Sequence, residues 1–225
     1  MKISEIFYSI QGEGGLAGVA SVFVRSSGCN LRCVWCDTPY TSWKPEGTEQ
    51  SIDQIVDQVR SFPARHVVLT GGEPMLFEES IALCQRFRDL GLHITIETAG
   101  TVFRPVPCDL MSISPKLANS TPVADEFWAS RHDKLRLQPE VLRKLMEHSD
   151  YQLKFVVAQP SDLEEIQPLV QALSAIPEKV LLMPEGRDAA TLQQRSYWIV
   201  EACKTHGYRY SPRLHVQLWG DLRGV

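Results

Sequence analysis

Short apolar runs and amphipathic runs alternate along this chain. SVFVR at 21–25 is a buried-strand pattern. In SIDQIVDQVRSF at 51–62, Ile52, Ile55, Val56 and Val59 recur at helical spacing, and Ser51 with Gln54 forms a capping box at its start. HVVLT at 66–70 predicts a strand, and 78–90 a helix that Gly91 ends. HITIE (93–97) and DLMSIS (109–114) predict two more strands. A helix at about 139–148, strand LKFVVA (153–158) and a helix opened by a second box of Ser161 and Glu164 follow. Strand KVLLM (179–183), a long helix at about 188–206 and an extended stretch near 208–218 close the pattern. The polar segment around 116–138 shows no period and reads as an excursion.

Strands alternating with helices imply a parallel sheet with crossover helices, an α/β fold. Such folds place their sites at the C-terminal ends of the strands. Those ends carry Thr70-Gly71-Gly72-Glu73-Pro74, Glu97-Thr98, Ser114-Pro115-Lys116 and Met183-Pro184-Glu185, and a cysteine-bearing loop follows Arg25. A closed eight-stranded barrel runs to about 250 residues. At 225 residues, with a long loop spent on cysteines, a partial, truncated parallel β/α barrel is expected.

Composition adds exclusions. A chain that is 44% hydrophobic buries a full core, most simply as a single domain over 1–225. A net charge of −4 without any Lys/Arg block gives no drive toward nucleic acid or anionic membranes. MKISEIFYSI lacks the basic and long apolar regions of a signal peptide. No apolar run approaches the ~18–20 residues of a membrane span. The expectation is a soluble, cytoplasmic protein with neither nucleic-acid nor membrane partners.

Cys29, Cys33 and Cys36 fall within GCNLRCVWCDT, while Cys84, Cys108 and Cys203 are scattered. Cys84 and Cys203 sit in apolar helical patterns and read as small buried hydrophobes. For the clustered three, structural zinc would need a fourth ligand, usually from a second pair, and the six histidines are isolated. A disulfide would leave an odd thiol in a reducing compartment. An iron–sulfur cluster fits best, with one iron left open because only three thiolates are present.

The spacing Cys29-x-x-x-Cys33-x-x-Cys36 resembles the signature of radical S-adenosylmethionine (SAM) enzymes, in which SAM chelates the open iron. TGGEP at 70–74 is similar to that superfamily's GGE motif for the methionine amino group. Glycines allow close backbone approach, and a carboxylate accepts charge-assisted bonds from an ammonium. An ordinary strand-to-helix turn is the alternative for Gly71-Gly72. IFYSIQGEG (6–14), the run from the cysteines into Thr38, ISPKL (113–117) and RLHVQLWGDLRGV resemble the 7-carboxy-7-deazaguanine synthase family, most weakly over 118–150. That resemblance implies a homodimeric truncated-barrel enzyme. It would convert 6-carboxy-5,6,7,8-tetrahydropterin to 7-carboxy-7-deazaguanine with loss of ammonia, for queuosine and other 7-deazapurines. It also implies a 4Fe-4S cluster on Cys29, Cys33 and Cys36, SAM, Mg2+, and an electron donor such as flavodoxin or ferredoxin.

Residue roles follow by the same resemblance. Ile10, Gln11, Gly12 and Glu13 would line the pterin, Arg25 would pair with its carboxylate, and Thr70 and His215 would reach the substrate. Trp35 and Asp37 would shape the SAM side with Gly72, Glu73, Ser114, Pro115 and Lys116, and Thr38 would hold magnesium. The plainer alternatives are a polar turn for 11–13, an ion pair for Arg25, core packing for Trp35 and a solvated loop for 114–116. For His215 and Thr38 they are a structural histidine and a turn or cap. Two departures stand out. Met183-Pro184 replaces the family's Gln-Pro, with Glu185 as a possible stand-in, and Arg-Gly-Val replaces a terminal proline. Rival readings are an activase that installs a glycyl radical, an iron–sulfur carrier and a zinc-bound interaction module.

Overall fold

The computed structural model describes residues 1–225. Nine strands form one sheet: β1 (Lys2–Ile10), β2 (Ala20–Ser26), β3 (Thr48–Glu49), β4 (His66–Gly71), β5 (His93–Thr98), β6 (Leu110–Ile113), β7 (Tyr151–Val157), β8 (Val180–Pro184) and β9 (Arg209–Tyr210). Their spatial order is β3-β1-β2-β4-β5-β6-β7-β8-β9. From β2 onward every pairing is parallel, while β1 runs antiparallel to both β2 and β3. The sheet does not close, and this is the expected partial barrel.

Side-chain alternation gives the sheet two unlike faces. Val22 and Val24 of β2, Leu153, Phe155 and Val157 of β7, and Leu182 of β8 join the main core beneath the helices. Their neighbours Phe23, Arg25, Lys154, Val156 and Met183 face one shared cavity. A cavity touched by strands from β1 to β8 requires the sheet to curl around it. Every residue of β7 is buried, as two-sided coverage of a parallel strand demands.

The helices are α1 (Pro39–Ser42), α2 (Ile52–Arg60), α3 (Glu79–Asp89), α4 (Glu126–Leu135), α5 (Pro139–His148), α6 (Leu163–Ala172), α7 (Ala189–His206) and α8 (Leu214–Trp219). The capping box of α2 is formed, with Gln54 N–H donating to Ser51 Oγ at 3.2 Å and Ser51 N–H to Gln54 Oε1 at 2.8 Å. Gly91 follows α3 at φ +71. Cys84 and Cys203 are core residues, and Cys108 is buried with its thiol on Ser149 Oγ. No helix is long and apolar enough to cross a membrane.

Three expectations need correction. The second box does not form on Ser161; the Asp162 carboxylate turns back instead and accepts the Ala158 and Gln159 amides. The stretch near 208–218 is a two-residue strand followed by α8, whose first amide is seated on Gly12 O. The excursion contains α4, capped by Asp125. The N-terminal stretch, for which the sequence pattern predicts no element, is the long antiparallel strand β1.

Candidate active site

After β2 the chain runs without regular structure through the cysteines to α1. Two indoles brace this loop: Trp43 Nε1 donates to Cys33 O at 3.2 Å, and Trp35 Nε1 to Asn119 O at 3.0 Å. Cys29, Cys33 and Cys36 all reach the wall of one cavity of about 460 Å³. Burial pushes the Cys29 and Cys33 thiols up to about 12, so their thiolates need a cationic partner. No three His, Cys, Asp or Glu side chains converge on a single-ion position. Structural zinc needs that convergence; a cubane does not, because each thiolate takes a different iron. The donor set fits a 4Fe-4S cluster with one iron left open.

The GGE segment packs directly on this loop. Gly72 N–H donates to Ser26 O at 3.1 Å and Glu73 N–H to Gly28 O at 2.9 Å. A Cβ on Gly71 would stand 2.1 Å from Ser26 O, and one on Gly72 2.2 Å from Gly28 O. The two glycines line the cavity, but their close approach is first of all between two backbones. Glu73 is wholly buried, and the cavity wall does not include it. Its carboxylate accepts from Met75 N–H (3.0 Å), Thr98 Oγ1 (2.8 Å) and Ala99 N–H (2.8 Å). Donors from the chain thus give Oε1 two hydrogen bonds and Oε2 one. Glu73→Gln puts an amide N–H against one of these donors. It will destabilise the apo-protein by about 1–3 kcal/mol in urea unfolding; an unchanged midpoint would contradict this role.

Ser114 and Lys116 reach the wall, and Pro115 between them does not. Lys116 Nζ donates to Ser114 Oγ at 2.8 Å and lies 5.9 Å over the Trp35 ring. Met183 lines the cavity, whereas Glu185 is turned away and held by Arg195. Residues 220–225 contribute wall at the rim.

A chain of alternating charges supplies the rest of the site. Arg213 bridges Asp37 (2.5 Å) and Glu13 (3.3 Å), and Lys154 bridges Glu13 (2.6 Å) and Glu97 (2.9 Å). Gln11 Nε2 and Ser112 Oγ donate to Glu97. Burial alone would lift the Glu13 carboxyl, but Lys154 and Arg213 outweigh it and hold it far below the usual carboxylate range. Burial lowers His215 despite the nearby Glu13. Its ring packs so tightly on Gly12 that a Cβ there would stand 2.0 Å from Nδ1.

Arg25 Nε donates to Glu5 Oε1 at 2.6 Å, and Glu5 also accepts from Tyr40 Oη and Arg223 Nε. The two Nη groups of Arg25 donate to nothing in the chain, leaving a planar pair of donors in the wall. Ile10, Thr70 and Thr38 also line the cavity. Thr38 is the N-cap of α1 without a side-chain capping bond; its hydroxyl accepts from Thr41 Oγ1 at 3.1 Å.

Lys154 and the Glu5 anchor carry no motif, and Arg213 opens RLHVQLWGDLRGV without a role being legible there. A lone lysine inside the apolar run LKFVVA was the one visible signal, since a fully buried strand admits an ammonium only with partners.

Comparison with known proteins completes the picture. The radical SAM superfamily model matches residues 23–121. The chain is 49% identical to 7-carboxy-7-deazaguanine synthase of Halobacterium salinarum, covering 98% of this chain and 91% of that protein. It is 44% identical to the synthase of Rhodopirellula baltica, covering 100% and 89%. The crystal structure of QueE from Escherichia coli superposes with a TM-score of 0.70 at 25% identity, covering 93% and 92% of the two chains.

Proposed function

This chain belongs to the 7-carboxy-7-deazaguanine synthase family, and from that premise we propose that it is a radical SAM lyase acting on a reduced pterin. The reaction converts 6-carboxy-5,6,7,8-tetrahydropterin to 7-carboxy-7-deazaguanine and one ammonia, in queuosine-type 7-deazapurine biosynthesis. One observation carries the reading: three loop thiols and the unpaired fork of Arg25 open on the same cavity.

A 4Fe-4S cluster on Cys29, Cys33 and Cys36, with SAM on its open iron, supplies the initiating radical when bound. The chain's own residues bind and orient. Arg25, aimed by Glu5, takes the substrate carboxylate through its two Nη groups. Glu13, kept anionic by Lys154 and Arg213, accepts ring N–H groups, and Gln11 offers both a donor and an acceptor to the ring edge. Gly12 admits the His215 ring against the substrate side. Trp35, Ser114 and Lys116 form the SAM side. Fixing both ligands in one cavity lowers the entropic part of the barrier. An electron donor of the flavodoxin or ferredoxin type and a homodimeric state complete the proposal, supported by family resemblance.

The test is anaerobic reconstitution with iron and sulfide, then incubation with the tetrahydropterin, SAM and a reductant. Equal amounts of the 7-deazapurine and ammonia are expected. SAM cleavage with the pterin untouched would overturn the assignment and favour an activase.

Two variants test the wall. Gly12→Ala must displace His215, and turnover is expected to fall about tenfold without loss of thermal midpoint. In a His215→Ala background the same change should have little further effect; a full additional loss would place its action elsewhere. Thr38 is proposed as the one protein ligand of a Mg2+ shared with substrate and water, in keeping with that ion's few protein contacts. Magnesium should raise turnover of the native protein, and Thr38→Ala should lose that response. If Thr38 is only a cap, the variant loses stability and keeps the response.

A further inference from the structure

The segment 116–138, without any motif, folds over the cysteine loop and takes hold of both amides that flank Cys33. Arg32 N–H donates to His132 Nδ1 at 3.1 Å, and Val34 N–H donates to Ser120 O at 2.9 Å. His132 is 0% exposed, and its other nitrogen lies 2.8 Å from Ser120 Oγ. The Ser120 hydroxyl donates in turn to Leu117 O at 2.6 Å.

These bonds leave the ring no freedom. An amide can only donate, so Nδ1 is unprotonated, and the ring proton sits on Nε2 and points at Ser120. Burial lowers the imidazole to about 4, which agrees with a neutral ring. The Leu31 amide, by contrast, is given to a sulfur, that of Cys29 at 3.3 Å. The loop's amides are thus divided between sulfur and the covering segment. Hydrogen bonds to sulfur help set the potential of an iron–sulfur cluster, so this division bears on the redox centre.

We propose that His132 is a positioning residue for the cluster loop: it accepts the Arg32 amide in one fixed tautomer, presets the loop around Cys33, and withholds that amide from the sulfurs. The proposal rests on the reading of Cys29, Cys33 and Cys36 as cluster ligands.

The tautomer is testable on apo-protein before any cluster is built. Imidazole 15N spectra should show His132 with Nδ1 bare and Nε2 protonated; the opposite tautomer would overturn the proposal outright. In reconstituted protein, His132→Phe keeps the ring volume and removes the acceptor. Its cluster should lose iron to a chelator several-fold faster, and its reduction potential should move to more positive values. His132→Asn restores an acceptor near the Nδ1 position and should recover both properties. A Phe variant with native potential and iron retention would sink the idea, as would an Asn variant as impaired as Phe. If the Phe variant does not fold, Ser120→Ala, which keeps the ring but removes the hydroxyl that holds Nε2, loosens the ring against the Arg32 amide and should shift the potential in the same direction; no shift would count against the proposal. A merely structural role would lower the melting temperature of the apo-protein and leave the potential alone. Native protein that takes up no iron would refute the cluster reading itself, and the tautomer result would stand apart from it.

Discussion

Alanine in place of Cys29, Cys33 or Cys36 will reduce SAM cleavage to background while the apo-protein keeps its fold. In the proposed site each thiolate would hold a separate iron, so losing one would leave a second iron open beside the cosubstrate's. The cost to folding is small: Cys29 and Cys36 are only partly buried, and Cys33 belongs to a three-residue satellite cluster with Leu31 and Ala99, outside the main core. Removing one sulfur there gives up about 1 kcal/mol of burial. Alanine at Cys84 or Cys203 should behave in the opposite way. Both belong to the main core, so these variants should melt earlier yet bind iron fully. Iron content and 5′-deoxyadenosine release, measured beside far-UV melting, separate the two classes. A Cys33→Ala protein that still cleaves SAM at the native rate would remove the cluster from the cavity altogether.

Elements were legible wherever burial imposed a period. The strands β2 and β4 to β8 and the helices α2, α3, α5 and α7 bury several apolar side chains each, and the period of 2 or 3.6 shows in the sequence. α4 buries only His132, and α8 only Val216, so neither has an apolar stripe to read. β1 buries Ile3 alone and mixes Lys, Ser and Glu through the rest of its length. The site divided along similar lines. Cys29, Cys33, Cys36, Gly72 and Lys116 sit in contiguous motifs whose spacing carries their chemistry. Glu73 shares the motif of Gly72, but its three donors from the chain, Met75, Thr98 and Ala99, are not legible in that motif. Lys154 and Arg213 have meaning only through Glu13, 141 and 200 residues away in the chain, and no local pattern encodes such a partnership.

Lys154→Met will destabilise the protein by about 3–5 kcal/mol at neutral pH, the usual cost of breaking a buried pair from one side. The side chain is 2% exposed, and methionine nearly matches its volume, so the loss is one of charge rather than packing. Glu13 keeps Arg213 at 3.3 Å, but Glu97 retains only the neutral donors Gln11 and Ser112. The pH dependence fixes the cause. In the native protein, the folded-state pKa of Glu13 lies below its ordinary value of 4.5. Its contribution to stability is therefore complete above that pH and is lost as the pH falls through the folded-state value. Without Lys154 burial has less opposition, the carboxyl rises, and acid no longer removes a stabilising anion. The gap between native and variant protein should thus be widest at pH 7 and shrink toward pH 4. Adding Glu13→Gln to Lys154→Met removes the stranded anion and should recover part of the loss at pH 7 but little at pH 4. Turnover should not return with it, because the role proposed for Glu13 toward the pterin ring needs an anion. Urea unfolding of the apo-proteins at the two pH values decides the matter. A gap independent of pH would mean that Lys154 serves as packing, and that the charge chain across the cavity wall does not hold Glu13 in its ionised state.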